Sequence, residues 1–248
     1  MNRSFTSNRM PLLCAFYAFL IVIAALWATP RNAHAQLYVG QTLASIVGKY
    51  DANTGAAINP NFIAGTSFPE QIELLGDALL VANAATGTVG KYDATSGAVI
   101  NANFITGLNF PEGLALFGDT LFVSNANVFN YRVGKYDAKT GAPIDASFIT
   151  GLDQPVGLAL LGHILFVANS IPGIIGIYDA NTGAPIKAVF ITGLSAPQEI
   201  ALLGNTLFVS NSGSGTVGEY DATTGAEINA NFIAGLKFPF GLAVKSVK

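Results

Sequence analysis

One pattern repeated five times governs what this chain can fold into. Val-Gly-Lys-Tyr-Asp at residues 47–51 recurs, with small variations, at 89–93, 133–137, 175–179 and 217–221, its aspartates 42, 44, 42 and 42 residues apart. Each copy continues as Asp-Ala-x-Thr/Ser-Gly, then an isoleucine (Ile58, Ile100, Ile144, Ile186, Ile228), then a Phe-Ile pair headed by Phe62, Phe104, Phe148, Phe190 or Phe232. A Gly-Leu/Thr-x-x-Pro step, an apolar run, a turn such as Gly118-Asp119 and a Leu-Phe-Val-Ser/Ala-Asn run complete the unit. Turn signals this dense leave room for four short strands per unit and for no helix. Valine, isoleucine, threonine and phenylalanine dominate between the turns, among 27 glycines and 11 prolines, so the class is all-β. Four strands in about 42 residues is the size of a propeller blade. The reading is one domain, residues 36–248, built as a β-propeller of about five four-stranded blades.

The register at the two ends adds a closure. Leu37-Tyr38-Val39 is the second strand of a unit, and the segment from Pro239 onward is the first strand of another. Pairing the C-terminal strand with the N-terminal blade completes five blades and removes the exposed sheet edges that invite aggregation.

Residues 1–35 follow a different chemistry. Arg3 and Arg9 precede an uncharged run at residues 11–30, then Ala33-His34-Ala35, which has the form of a signal-peptidase site. The reading is an export signal, to the periplasm or out of the cell, with an uncleaved membrane anchor as the alternative because the apolar run is long for a leader. Beyond the leader no membrane insertion is expected. Without it, nine basic residues face fifteen acidic ones, a net charge of −6, which argues against a nucleic-acid partner. Cys14 and Trp27 also go with it, so neither disulfides nor thiol chemistry serve the mature domain.

Most repeated residues have structural explanations. Asp51, Asp93, Asp137, Asp179 and Asp221 each precede a glycine by four, the chemistry of a hairpin turn in which the carboxylate accepts backbone N–H bonds. The sequence Asp-Ala-Asn-Thr-Gly also resembles the start of a calcium loop, but the further acids such a loop needs do not follow. The five tyrosines at the Tyr50 position and the five phenylalanines at the Phe62 position read as core between blades, each buried ring contributing about 2–3 kcal/mol. Gly213 to Gly218 spells G-x-G-x-x-G between two strands, where no helix presents a dipole to a phosphate. His163, the one histidine after the leader, sits at the turn position of Asp77, Asp119 and Asn205, without partners for catalysis. No catalytic residues are assigned.

Units of the form Pro-x-Gly-Leu-Ala-Leu, Leu-Phe-Val-Ser-Asn and Val-Gly-x-Tyr-Asp resemble the NHL and related TolB-like β-propeller repeats of bacterial exported proteins, over residues 37–248. That resemblance implies a propeller serving as a binding platform, scaffold or lactonase; its members usually carry six blades, and this chain has material for five. It also implies that the loop before each innermost strand and the loop between the second and third strands share one face.

The first loop reads Phe68-Pro69-Glu70, Phe110-Pro111-Glu112, Gln154-Pro155-Val156, Ala196-Pro197-Gln198 and Phe238-Pro239-Phe240. The second is two residues longer in one unit only, where Phe129, Asn130, Tyr131 and Arg132 replace small residues. Phe68, Glu70, Phe110, Glu112, Phe129, Tyr131, Arg132 and Gln198 are therefore the candidate ligand-binding residues, because aromatic, carboxylate and guanidinium groups together suit a polar ligand with an apolar face. The function expected is a non-catalytic scaffold for a glycan, peptide or envelope protein, without cofactor. The alternative is a metal-dependent sugar lactonase, for which a distant similarity to the gluconolactonase and regucalcin propellers implies a divalent cation such as calcium on Glu70, Glu112 and Gln198. A third possibility is that Phe68, Phe110 and Phe238 simply plug the channel.

Overall fold

A computed structural model describes residues 36–52 and 54–242. The leader, with its export reading, lies outside the described residues, as does the far end of the expected closing strand, 243–248. The rest is all-β, five antiparallel sheets standing as the blades of a β-propeller. Blade 1 holds β1 (Gln36–Gln41), β2 (Ile46–Asp51) and β3 (Ala57–Ala64). Blade 2 holds β4 (Pro69–Leu75), β5 (Ala78–Asn83), β6 (Thr88–Asp93) and β7 (Val99–Ile105); blade 3 holds β8 (Pro111–Phe117), β9 (Thr120–Asn125), β10 (Arg132–Asp137) and β11 (Pro143–Thr150). Blade 4 runs through β12 (Pro155–Leu161), β13 (Ile164–Asn169), β14 (Ile174–Asp179) and β15 (Pro185–Ile191), and blade 5 through β16 (Pro197–Leu203), β17 (Thr206–Asn211), β18 (Thr216–Asp221) and β19 (Glu227–Ile233). Strands pair in chain order within each blade, and the innermost strands β4, β8, β12 and β16 neighbour one another around the axis.

The repeat explains itself atom by atom. The tyrosine of each Val-Gly-Lys-Tyr-Asp copy folds back over the glycine two residues before it: a Cβ at Gly90 or Gly134 would lie 2.6 Å from the ring of Tyr92 or Tyr136, so no side chain fits there. The aspartate closes the hairpin. Asp137 Oδ1 accepts from the Thr140 hydroxyl at 2.8 Å and the Thr140 N–H at 2.7 Å. Those bonds hold the Asp137 carboxyl below the usual carboxylate range, and bonds from Ser96 do the same for Asp93. The glycine that ends the turn docks on the preceding blade. Gly141 takes φ +76° with its Cα against the Phe104 carbonyl, an approach a Cβ would block.

Apolar side chains fill the gaps between successive blades in four clusters. Phe62, Leu79, Val81 and Tyr92 join blades 1 and 2; Leu80, Phe104, Leu121 and Tyr136 join blades 2 and 3. Phe122, Ile149, Leu165 and Tyr178 join blades 3 and 4; Phe166, Phe190, Leu207 and Tyr220 join blades 4 and 5. The core role expected of the repeated rings holds here and lapses at the ends. Phe232 of blade 5 is 49% exposed, and no buried cluster of the described residues spans blades 5 and 1. The lysine of the repeat is confined to blades 1–3. Lys49 reaches across to blade 2, donating to the Ala94 and Thr95 carbonyls at 3.2 and 3.1 Å while its ammonium sits 4.6 Å from the centre of the Phe62 ring. Blade 4 has Ile177 and blade 5 Glu219 at that position.

Blade 1 contributes three described strands, and residues 239–242 make no ladder with β1. They nevertheless occupy the slot of an innermost strand against blade 5. The Phe240 carbonyl accepts from the Ser210 hydroxyl at 2.8 Å, as the Val156 carbonyl accepts from the Ser124 hydroxyl at 2.7 Å between blades 3 and 4. A cleft of about 740 Å³ separates this segment from β1, lined by Tyr38, Gly40, Leu43, Phe240 and Leu242 among others.

Candidate ligand-binding face

Strand register gathers the variable loops at one end of the ring. Pro69, Pro111, Pro155 and Pro197, which open the innermost strands, pair with Asn83, Asn125, Asn169 and Asn211, which close the second strands. In blade 3, Arg132 pairs with the same Asn125. The Asp-Ala-x-Thr-Gly turns lie at the opposite end. The two kinds of loop therefore share a face, as expected, and this face is called upper below.

The residue before each of these prolines, and before Pro239, has a positive φ: Phe68 50°, Phe110 53°, Gln154 50°, Ala196 48°, Phe238 48°. An L-residue pays of order 1–3 kcal/mol for such a conformation unless its surroundings enforce it. In blades 2, 3 and 4 the closing asparagine does so. Asn125 Oδ1 accepts from the Asn109 N–H at 3.0 Å, and the Ala126 N–H donates to the Phe110 carbonyl at 3.0 Å. Asn83 and Asn169 hold Ser67 and Asp153 in the same way, each at 3.2 Å. The consequence is directional: the side chain after the latch turns away from the channel and onto the rim. Phe110 is 43% exposed and Phe238 75% exposed, so the phenylalanines form a rim and do not plug the channel. Sequence inspection finds the proline and the asparagine but not the left-handed residue between them. Replacing the buried Asn125 with alanine removes the acceptor of the part-buried Asn109 N–H and loosens Phe110. The expected loss is about 1–3 kcal/mol in denaturant unfolding, without loss of the fold.

The long loop of blade 3 splits its residues. Its turn is fixed by Asn127, whose Oδ1 accepts from the Phe129 N–H at 3.1 Å and whose carbonyl accepts from the Asn130 N–H at 2.9 Å. Phe129 projects from the tip, 93% exposed. Tyr131 packs down against the core shared by blades 3 and 4, and Arg132 is buried. Phe129 joins Phe68, Phe110, Phe238 and Phe240 as an exposed aromatic arc.

Inside that arc, the axis opens into a cavity of about 70 Å³ lined by Glu70, Gln71, Glu112, Gln198, Glu199, Phe240 and the backbone of Gly113 and Gly157. Gly113 and Gly157 mark where neighbouring innermost strands almost touch, since a Cβ on either would run into the carbonyl of Val156 or Gln198. Gln71 stands at that register in blade 2 and bridges instead, accepting from the Leu114 N–H at 2.6 Å. Gln198 is braced, its amide donating to the Ser170 and Ser212 hydroxyls at 3.1 and 3.2 Å. Burial raises the carboxyls of this region above the usual carboxylate range. Burial, with the Glu70 charge, pushes Glu112 up to about 8. Burial pushes Glu199 up to about 8, with Glu73 and Glu112 adding to it and the Ile200 N–H opposing. Burial alone pushes Glu73 to about 7 and raises Glu70. The structure thus brings Glu70, Glu112 and Gln198 together, and adds Glu199 and Glu73. Glu73 was missed in the sequence, although it breaks a register that holds alanine in blades 3, 4 and 5, because it lies in the strand and not in the variable loops.

Among known proteins, no family model matches the chain, and no curated protein does. Solved structures match it widely. A gluconolactonase, XC5397 from Xanthomonas campestris, aligns at 16% identity over 83% of this chain and 75% of that one, with a TM-score of 0.67. A chain of the nidogen/laminin complex aligns at 16% identity over 80% and 76%, also at 0.67. The computationally designed Ika8 protein aligns at 15% identity and a TM-score of 0.55; the match covers 85% of this chain and 63% of the Ika8 chain. At these identities the likeness concerns the fold.

Proposed function

We propose that this chain is an exported, non-catalytic propeller that holds a protein or peptide partner on its upper face. One observation carries the reading: five phenylalanines stand exposed on the face where the repeat varies, while the opposite face repeats the same small polar turn. Exposed aromatic clusters of this kind are expensive in water and mark recognition surfaces. Phenylalanine offers sugar hydroxyls neither donor nor acceptor, which favours the apolar side chains of a peptide over a glycan. Export follows from the leader chemistry of residues 1–35. Peptides selected from a random library against residues 36–248 are expected to carry aromatic or aliphatic side chains. Phe110→Ser and Phe129→Ser are then expected to weaken their binding by about 1–3 kcal/mol each without shifting Tm. Selected peptides indifferent to both substitutions would contradict the reading.

A second reading, the metal-dependent lactonase, draws on the convergence of Glu70, Glu112 and Glu199 at the axial cavity. The donor set fits it poorly, for no three acidic, histidine or cysteine side chains among the described residues stand together as metal ligands. Thermal shift with calcium, manganese and zinc, followed by hydrolysis of simple sugar lactones, separates the two. The platform reading expects neither a shift nor turnover; both together would install the enzyme.

A further inference from the structure

Two cations are buried in the described structure, and they are treated differently. Lys49 has two carbonyl acceptors and an aromatic ring. Arg132 is 9% exposed, and its Nε is sealed from solvent with no hydrogen-bond partner. Among the described residues it makes no ion pair. Leaving the buried Nε–H without an acceptor costs about 1–3 kcal/mol, and a protein with excess acid had carboxylates to spare for it. The other blades manage without a charge, with Ile46, Thr88, Ile174 and Thr216 at the same register. Arg132 shares its strand face with Tyr136, which packs toward blade 2, so the guanidinium lies at the upper end of the junction between blades 2 and 3. The terminal nitrogens, unlike Nε, are not sealed off. Phe110 is tied by its carbonyl to Ala126 at the base of the same loop, and Phe129 stands at its tip.

We propose that the Arg132 guanidinium is a specificity anchor for a carboxylate of the bound peptide, an acidic side chain or C-terminus presented beside an apolar side chain that lies on Phe110 and Phe129. This rests on the platform reading and gives its partner a chemistry: acidic and aromatic or aliphatic together. A guanidinium fits that task because its planar nitrogens pair with both oxygens of a carboxylate at once. The anchor also explains why the one enlarged loop of the ring ends on an arginine.

The test uses residues 36–248 and two probes that differ in charge alone, N-acetylphenylalanine and its amide, titrated by NMR at fixed ionic strength. The acid is expected to bind about tenfold tighter than the amide, as for a hydrogen bond to a charged group. Its shifts should centre on residues 125–132 and the Arg132 Nε–H. R132M should erase the preference and R132K keep part of it. R132M should also melt no lower than the parent, since it removes an orphaned donor. Equal binding of acid and amide, a preference that survives R132M, or an R132M protein that melts well below the parent would each overturn the anchor. Tighter binding of glucuronate than of N-acetylphenylalanine at Arg132 would overturn the peptide assignment. The two readings fail separately: library peptides that need Phe129 but ignore R132M defeat the anchor alone, whereas an intact acid preference with no peptide binding defeats the platform.

Discussion

Raising the pH from 5 to 9 is expected to destabilise the folded domain, and Glu112→Gln is expected to cancel much of the loss. An unfolded glutamate titrates near 4.3. In the folded channel Glu112 and Glu199 titrate at about 8 and Glu73 at about 7. Across that window the native state holds protons that the unfolded state has released, so stability falls as pH rises and the loss is complete above the folded values. The turn aspartates act with the opposite sign and elsewhere: their lowered values add stability above about pH 4 that disappears only in acid. At about 1.4 kcal/mol per unit, discounted for water in the channel and for coupling among the three, the alkaline loss is on the order of a few kcal/mol. That corresponds to a Tm decrease of roughly 10 °C. Calorimetry at pH 5, 7 and 9 checks it, with Glu112→Gln and Glu199→Gln giving flatter profiles. A Tm that rises or stays level would mean that the channel is hydrated or that a cation neutralises it.

Removing residues 239–248 is expected to have a comparable effect by another route. Phe240 and Gly241 line the axial cavity, and the Phe240 carbonyl satisfies the Ser210 hydroxyl inside blade 5. Without them the apolar surface of blade 5 that includes Phe232 and Ile233, already half exposed, gains further exposure. β1 also loses its prospective partner. The truncated protein should unfold over a broader range, with a midpoint lowered by about 6–12 °C for a loss of about 3 kcal/mol. Self-association is the expected companion, because unpaired strand edges beside apolar surface recruit one another. A truncated protein that melts like the parent and stays monomeric would show that the C-terminal segment closes nothing.

The blades were legible because the repeat encodes short-range necessities: a tyrosine needs the glycine two residues before it, and the turn aspartate needs the hydroxyl three residues after it. The same residue types at the same spacing therefore announce the same hairpin five times. Closure was less legible. It depends on how the fifth blade meets the first, a long-range contact that the exposed Phe232 marks only once the other four junctions are known. The candidate site was legible as a break in the pattern, which located the loops of Phe110 and Phe129 on one face. What each side chain does there was not. The left-handed residue before each proline decides that Phe68, Phe110 and Phe238 are exposed, and packing leaves the Arg132 Nε without an acceptor among the described residues; neither follows from spacing. Glu73 escaped because a glutamate in a strand that already carries Glu70 and Gln71 looks like one more surface residue until the neighbouring blades bury it.

The claim that the upper face is the working face can be tested by placing a photo-crosslinking amino acid at Phe129, and separately at Asn181 in a lower turn, in the full-length chain expressed in the cells that make it. The platform predicts a discrete crosslinked protein from position 129 and none from 181, with the product lost when Phe68 and Phe110 are changed to serine. A product from position 181 alone, or one from 129 that survives those serines, would contradict it.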